Sequence, residues 1–195
     1  MRHIFLLIVA IFILVNPAAA AEYDIDASHS KVIFKIKHLA ISTVTGEFKT
    51  FKGSFFFDPK DIVASNAQAE LTTASIFSND KKRDDHLRNP DFFNVPKYPN
   101  ITFKTTKIIA IDESHFKAHG NLLIKDVSKP VVLDVEVGGL AKDPWGNERA
   151  AFVATTEINR RDFGLTWSKV LETGGLVVGD KVRIILEIEG IKRKK

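Results

Sequence analysis

"KVRIILEIE", residues 181–189, places Val182, Ile184, Leu186 and Ile188 on one face and Lys181, Arg183, Glu187 and Glu189 on the other. A repeat of two is the mark of a half-buried antiparallel strand. The same period recurs along the chain. It is plain at Val131, Leu133, Val135 and Val137, at Val32, Phe34 and Ile36, and at Phe116, Ala118, Gly120, Leu122 and Ile124. Fainter copies are Ala67, Ala69 and Leu71, then Ile101 and Phe103, then Phe152, Ala154 and Ile158. "VTGEFKTFKGSFFFD", residues 44–58, reads as one long strand or two, with a slip of phase between Phe48 and Phe51 that predicts a bulge or bend.

Seven or eight such strands, each with one apolar face, predict an all-β closed antiparallel barrel or a sandwich. Side-chain size chooses between them. Ala67, Ala69, Ala118, Gly120 and Ala154 are small residues on inward faces. A sandwich core must be filled to native density, whereas an eight-stranded barrel has room for one small ligand. The small residues therefore favour a hollow barrel. Helix is scarce. Ser78 to Arg88 reads as a short polar helix stopped by Asn89-Pro90, with His86 on its solvent side, and Arg161-Asp162-Phe163-Gly164 reads as a second short turn.

The N-terminus is of a different kind. A basic start, Met1-Arg2-His3, leads into an apolar run from Ile4 to Val15, and Asn16-Pro17 and Ala18-Ala19-Ala20-Ala21 follow. The run is shorter than the roughly 20 residues that a spanning helix needs. The pattern predicts a cleaved secretory signal over residues 1–21, a single domain over 22–195, and a periplasmic location. The chain has no cysteine, which excludes disulfides, thiol catalysis and cysteine-ligated metals. A net charge of +4 is compatible with anionic lipid surfaces or nucleic acid and specific for neither, and a secreted protein seldom meets nucleic acid, so no nucleic-acid partner is expected. The basic end, Lys192-Arg193-Lys194-Lys195, reads as a solvated tail that offers transient contact with an anionic membrane surface. Long strand edges offer a route to a homodimer.

Four blocks carry a resemblance. They are "YDIDASHSKVIFKIKHLAISTVTGEFKTFKGSFFFD" (23–58), "HLRNPDFFNVPKYPNITF" (86–103), "GNLLIKDVSKPVVLDV" (120–135) and "INRRDFGLTW" (158–167). In this order they resemble the YceI-like proteins. The resemblance implies an extended, lipocalin-like eight-stranded barrel, a secreted and usually periplasmic protein, and an apolar channel for a polyisoprenoid chain. That chain would belong to a polyprenyl phosphate or an isoprenoid quinone.

The residues place the candidate site accordingly. Wall candidates are Phe34, Ile36, Phe103, Phe116, Ala118, Leu122, Leu133, Val135, Ile184 and Leu186. Phe92 and Phe93 lie in a stretch stiffened by Pro90, Pro96 and Pro99. With Trp167 they read as a lid or mouth, or as a plug that touches no ligand. Neighbours on extended chain face opposite ways, so one of the two phenylalanines would face the ligand and the other the shell. His38, Arg160 and Arg161 are head-group candidates, because guanidinium binds phosphate through a planar fork. Arg160, Arg161 and Asp162 would otherwise pair among themselves.

Neither metal nor cofactor is expected. His115 and His119 stand four apart on a strand, which separates them by about 13 Å. Ser28-His29-Ser30 comes without a nucleophile elbow, and "GGLVVGD" (174–180) lacks a phosphate-loop lysine and reads as a glycine turn before the last strand. A carrier, storage or scavenging protein is therefore expected, not an enzyme. The alternatives are a lipid hydrolase or isomerase with His38 or His86 as base, and an interaction module with a filled barrel core.

Overall fold

Each alternating run forms a strand in the computed structural model, which describes residues 20–169 and 177–194. The strands are β1 (Ala21–Ile25), β2 (Lys31–His38), β3 (Ser42–Phe48), β4 (Phe51–Phe57), β5 (Asn66–Thr72), β6 (Ile76–Phe77), β7 (Asn100–Ala110), β8 (His115–Ile124), β9 (Val127–Lys142), β10 (Glu148–Asn159) and β11 (Val178–Lys192). All pairings are antiparallel, in the order β1-β4-β5-β7-β8-β9-β10-β11-β2-β3-β6. A further pairing of β1 with β11, Tyr23 opposite Lys192, closes an eight-stranded ring.

Two of the barrel's long strands are interrupted. β1 and β2 both pair with β11, at Gly190–Lys192 and at Val178–Glu187, and residues 26–30 bulge out between them. Ser30 repairs the ladder there: its hydroxyl donates to the Glu189 carbonyl and accepts the Glu189 N–H at 2.9 Å. The slip of phase between Phe48 and Phe51 marks the second break. Lys49 and Thr50 leave the sheet to meet the Thr72–Ser75 turn, and β3 and β4 run on either side.

A charged clasp holds the first break. The Arg149 guanidinium bonds Asp26, Asp143 and Glu189 at 2.8, 2.9 and 2.5 Å. Hydrogen bonds from Ser28, Arg149 and His29 hold the Asp26 carboxyl well below the usual range, against the desolvation that would raise it.

One α-helix, α1 (Lys81–Arg88), starts three residues later than the sequence suggested, with Asp80 capping the Arg83 N–H at 3.0 Å. It is not a polar helix lying in solvent. Asp84 is buried and accepts from the Ser78 N–H and hydroxyl, and Arg83 and Arg88 donate to the carbonyls of Ser78, Ala74 and Ile76. The second turn is a short 3₁₀ segment at Arg160–Phe163.

The basic end is also not a free tail. Lys192 closes β11 and pairs with Glu148 at 2.6 Å, and Arg193 pairs with Asp24 at 2.6 Å. Residues 1–19, where a cleaved signal was expected, the glycines at 174 and 175, and Lys195 lie outside the described residues. Among the described residues no helix is long and apolar enough to cross a membrane.

Candidate functional site: an apolar cavity along the barrel axis

The inward faces do not fill the barrel. They enclose a cavity of about 600 Å³ lined almost wholly by apolar side chains. All ten wall candidates line it. Phe116, Ala118, Leu133 and Val135 belong to the half of the core that also holds the β1–β4 contacts. Leu122 belongs to the half beneath α1, where Phe34 and Ile184 pack beside it. Phe103 and Leu186 touch both halves, and Ile36 lines the wall near His38.

Small inward residues play two different parts. Ala118 and Ala154 leave open space and line the cavity. Gly120 instead seats a ring: a Cβ there would overlap Phe103. Gly46 seats Phe34 and Gly190 seats Phe55 in the same way. Three aromatic rings thus occupy the space that a side chain at each glycine would take. The reasoning from residue size holds for the alanines and fails for Gly120, whose vacancy is already filled.

The two ends are closed differently. At the β1 end, Tyr23 stacks on Phe55 at 5.0 Å, and Phe152 meets Phe55 and Phe57 edge-on at 5.2 and 5.0 Å. These rings form an apolar plug. At the α1 end the cover is a lid built outside the sheet. His86 meets Phe92 at 5.0 Å and Trp167 at 4.9 Å, both edge-to-face, and Phe92 lies 5.2 Å from Trp167. Phe93 packs edge-on against Phe48 at 6.0 Å.

Phe92 and Phe93 both line the cavity, contrary to the expectation that one would turn away. The chain is not extended at this point. Phe92 and Phe93 donate to the carbonyls of Asn89 and Leu87, and Asn94 takes a positive φ of 48°, so the two rings leave a turn on the same side. Tyr98 pins the same loop to Asp126 at 2.8 Å.

His86 is the residue that the sequence misplaced. Its ring joins the lid and lines the cavity, with Nε2 2.9 Å from the Asp91 carboxylate. The available signal was its neighbour Leu87, which packs against the core beneath α1 and therefore fixes which side of the helix faces in.

The head-group candidates divide. His38 lines the cavity at the lid end. Arg160 is buried at 2% exposure, with every donor committed inside the protein. It bonds the carbonyls of Leu165, Trp167, Gly179 and Val178 and the carboxylate of Asp180. Burial pulls its pKa down, against the pull of Asp180. Its guanidinium therefore holds the Trp167 segment in place and has no fork left for a phosphate. Arg161 points away from the cavity to Asp180 at 2.7 Å. Both arginines pair with Asp180 and not with Asp162.

Two groupings of acid, hydroxyl and imidazole lie away from the cavity. Asp26-Ala27-Ser28-His29 and Asp112-Glu113-Ser114-His115 each bring an acid, a hydroxyl and an imidazole together. In both, the serine and the aspartate crowd the same ring nitrogen, Nδ1, so the histidine cannot relay a proton between them. They are exposed turns of one design. Asp26, His29 and Glu189 converge closely enough for a metal, but the Arg149 guanidinium already occupies the cation position between the two carboxylates.

The comparisons with known proteins agree with this geometry. A UPF0312 protein of Vibrio parahaemolyticus is 38% identical over 180 residues, covering 90% of both chains. One from Azotobacter vinelandii is 40% identical over 178 residues, again with 90% of each covered. Among solved structures, Burkholderia cenocepacia BcnA superposes with a TM-score of 0.75 at 25% identity, covering 85% of this chain and 98% of that one. A Campylobacter jejuni YCEI protein superposes at 0.70 with 36% identity, covering 81% and 90%. A polyisoprenoid binding domain from Saccharophagus degradans shares the fold, with a TM-score of 0.67 at 17% identity over 88% of this chain and 98% of that one. Residues 23–190 match the model of the YceI-like domain, and the chain belongs to the YceI-like family.

Proposed function

We propose that this protein binds one long isoprenoid lipid, a polyprenyl phosphate or an isoprenoid quinone, and serves as a periplasmic carrier, storage or scavenging protein. The observation that carries the reading is the cavity itself: about 600 Å³, lined almost wholly by apolar side chains, with aromatic rings at both ends. An unbranched polar ligand would find almost nothing to bond there. A prenyl chain would give up roughly 3 kcal/mol of unfavourable hydration per five-carbon unit, less the cost of ordering the chain. The name of the Saccharophagus degradans domain supports the same ligand class. The export signal at residues 1–21 supports the periplasmic setting.

The polar head belongs at the lid end in this reading. His38 and His86 line the cavity there, whereas the other end is a plug of phenylalanines. Binding and release are the whole activity, and no bond is made or broken. Native mass spectrometry of protein exported to the periplasm and purified without detergent tests this. A stoichiometric adduct of polyprenyl mass is expected. A bare protein mass that persists after incubation with polyprenyl phosphate and with quinone would show that the cavity is not an isoprenoid site.

A further inference from the structure

The turn between β2 and β3 places two consecutive non-glycine residues at positive φ, where the β8–β9 turn places one, Lys125. Leu39 and Ala40 both take positive φ, 53° and 60°, and the Ile41 N–H donates to the His38 carbonyl at 3.2 Å. Positive φ at both central positions is the signature of a type I′ turn, for which Asn-Gly is the favoured pair. Leu and Ala carry Cβ atoms that this region penalises. The next residue, Ile41, is 84% exposed. Leu39-Ala40-Ile41 is therefore a strained, apolar tip, with Leu39 half-buried and Ala40 and Ile41 exposed. Folding alone selects against each of these properties, and such departures from local consistency collect where function requires them.

The tip stands on the rim of the lid end. His38, one residue before it, lines the cavity. The Leu39 N–H donates to the Val177 carbonyl, and the Val177 N–H donates to the Lys169 carbonyl, each at 3.0 Å. Lys37 and Lys169 are exposed beside it, and Lys82, at the start of α1, is exposed on the same rim. Asp80 also lies on this rim, but its carboxylate is committed to capping α1. Trp145, 82% exposed, is unlike it. Trp145 sits on a turn relaxed by Gly146 and capped by Asp143.

We propose that this tip docks the protein on an anionic lipid bilayer. Ile41 and Leu39 enter the interface, and Lys37, Lys82 and Lys169 lie against the head groups. The lid end then faces the membrane. The inference rests on the isoprenoid reading of the cavity, because such a cargo exchanges with a bilayer and the rim is where it would pass.

The test is sedimentation of the purified protein with vesicles of phosphatidylcholine, with and without phosphatidylglycerol. Native mass spectra of the same samples report the cargo. Binding to the phosphatidylglycerol vesicles is expected, weakening as salt rises. Ile41→Asp should lower it about tenfold or more, the worth of one buried aliphatic side chain, and leave cargo occupancy unchanged. Leu39→Asn with Ala40→Gly should move two readouts in opposite directions. It relaxes the turn, so Tm should rise, while vesicle binding falls.

Equal vesicle binding by wild type and Ile41→Asp overturns the proposal. So does a loss of dimer in Ile41→Asp by sedimentation velocity without any vesicle binding by wild type, since the occupant would then be a second copy of the chain. An empty cavity in the native spectra with intact vesicle binding would instead overturn the isoprenoid reading and leave the docking tip standing.

Discussion

Ala118→Trp separates a hollow barrel from a filled one. Ala118 is 6% exposed on β8, between Ile108 of β7 and Leu133 of β9, and it lines the cavity. An indole there would bury about 150–250 Å² of its own surface, worth roughly 4–6 kcal/mol. It would deny the same area to a bound chain. At about 1.4 kcal/mol per decade, affinity should fall roughly 10³-fold or more. Ala118→Leu gives a graded point: three added carbons at about 0.8 kcal/mol each predict a loss of about 50-fold. Stability of the delipidated protein should stay level or rise, because the new side chain occupies space that holds no atoms. The assay is titration with polyprenyl phosphate or quinone followed by native mass spectrometry, with urea melts of the delipidated variants. Wild-type affinity in a folded Ala118→Trp protein would refute the route of the chain past β8. A stability loss of several kcal/mol in the delipidated variant would show that no open space exists at this point.

Other outcomes follow from the polar clusters. Arg160→Met should cost about 3–5 kcal/mol in urea melts, because it leaves the carbonyls of Leu165, Trp167, Gly179 and Val178 without their donor while Asp180 keeps Arg161, and Arg160→Lys should recover little of it. Full stability in either variant would return Arg160 to the head-group candidates. Acid should destabilise the barrel between about pH 4 and 2. Backbone and His115 bonds hold Asp112 at about 2, and Asn147 and Arg149 hold Asp143 at about 2 against opposing desolvation. An unfolded aspartate near 3.9 binds protons that these folded ones refuse, so their stabilisation is complete above about pH 5 and lost as the pH falls. A urea midpoint that stays flat from pH 5 to 2.5 would contradict this. Arg149→Met should lower the urea midpoint at pH 7 and lessen that acid slope, read from the same melts. Leu39→Asn with Ala40→Gly should stabilise by about 1–2 kcal/mol, visible as a higher midpoint in urea.

The barrel was legible because its strands advertise themselves by a period of two, and every wall residue named from that period lines the cavity. The lid was not legible in the same way. Segments 89–99 and 160–169 have no period, so the side on which Phe92, Phe93 or Trp167 emerges is fixed by turn hydrogen bonds and distant partners. His86 looked solvated because its neighbours in sequence are charged. Arg83 and Arg88, however, spend their charge on carbonyls beneath the helix, and Asp84 is buried. Arg160 looked like a ligand for phosphate because sequence shows a guanidinium and not the five acceptors already around it. The short first strand β1 and the two-residue β6 lack the length for a pattern to show.

The pairing of β1 with β11 has a kinetic side. Tyr23 meets Lys192 and Ile25 meets Gly190, so the ring closes through contacts that span nearly the whole chain. Barrels dominated by such distant contacts fold in milliseconds to seconds, since loop closure must precede the gain from pairing. Until residues 190–192 have emerged, the inner wall is one face of an open sheet, and no cargo has a container. Any ligand of the cavity would have to enter after β1 and β11 have paired. Ring closure waits for residues 190–192, so the segments that precede them form an open sheet for as long as that pairing is missing.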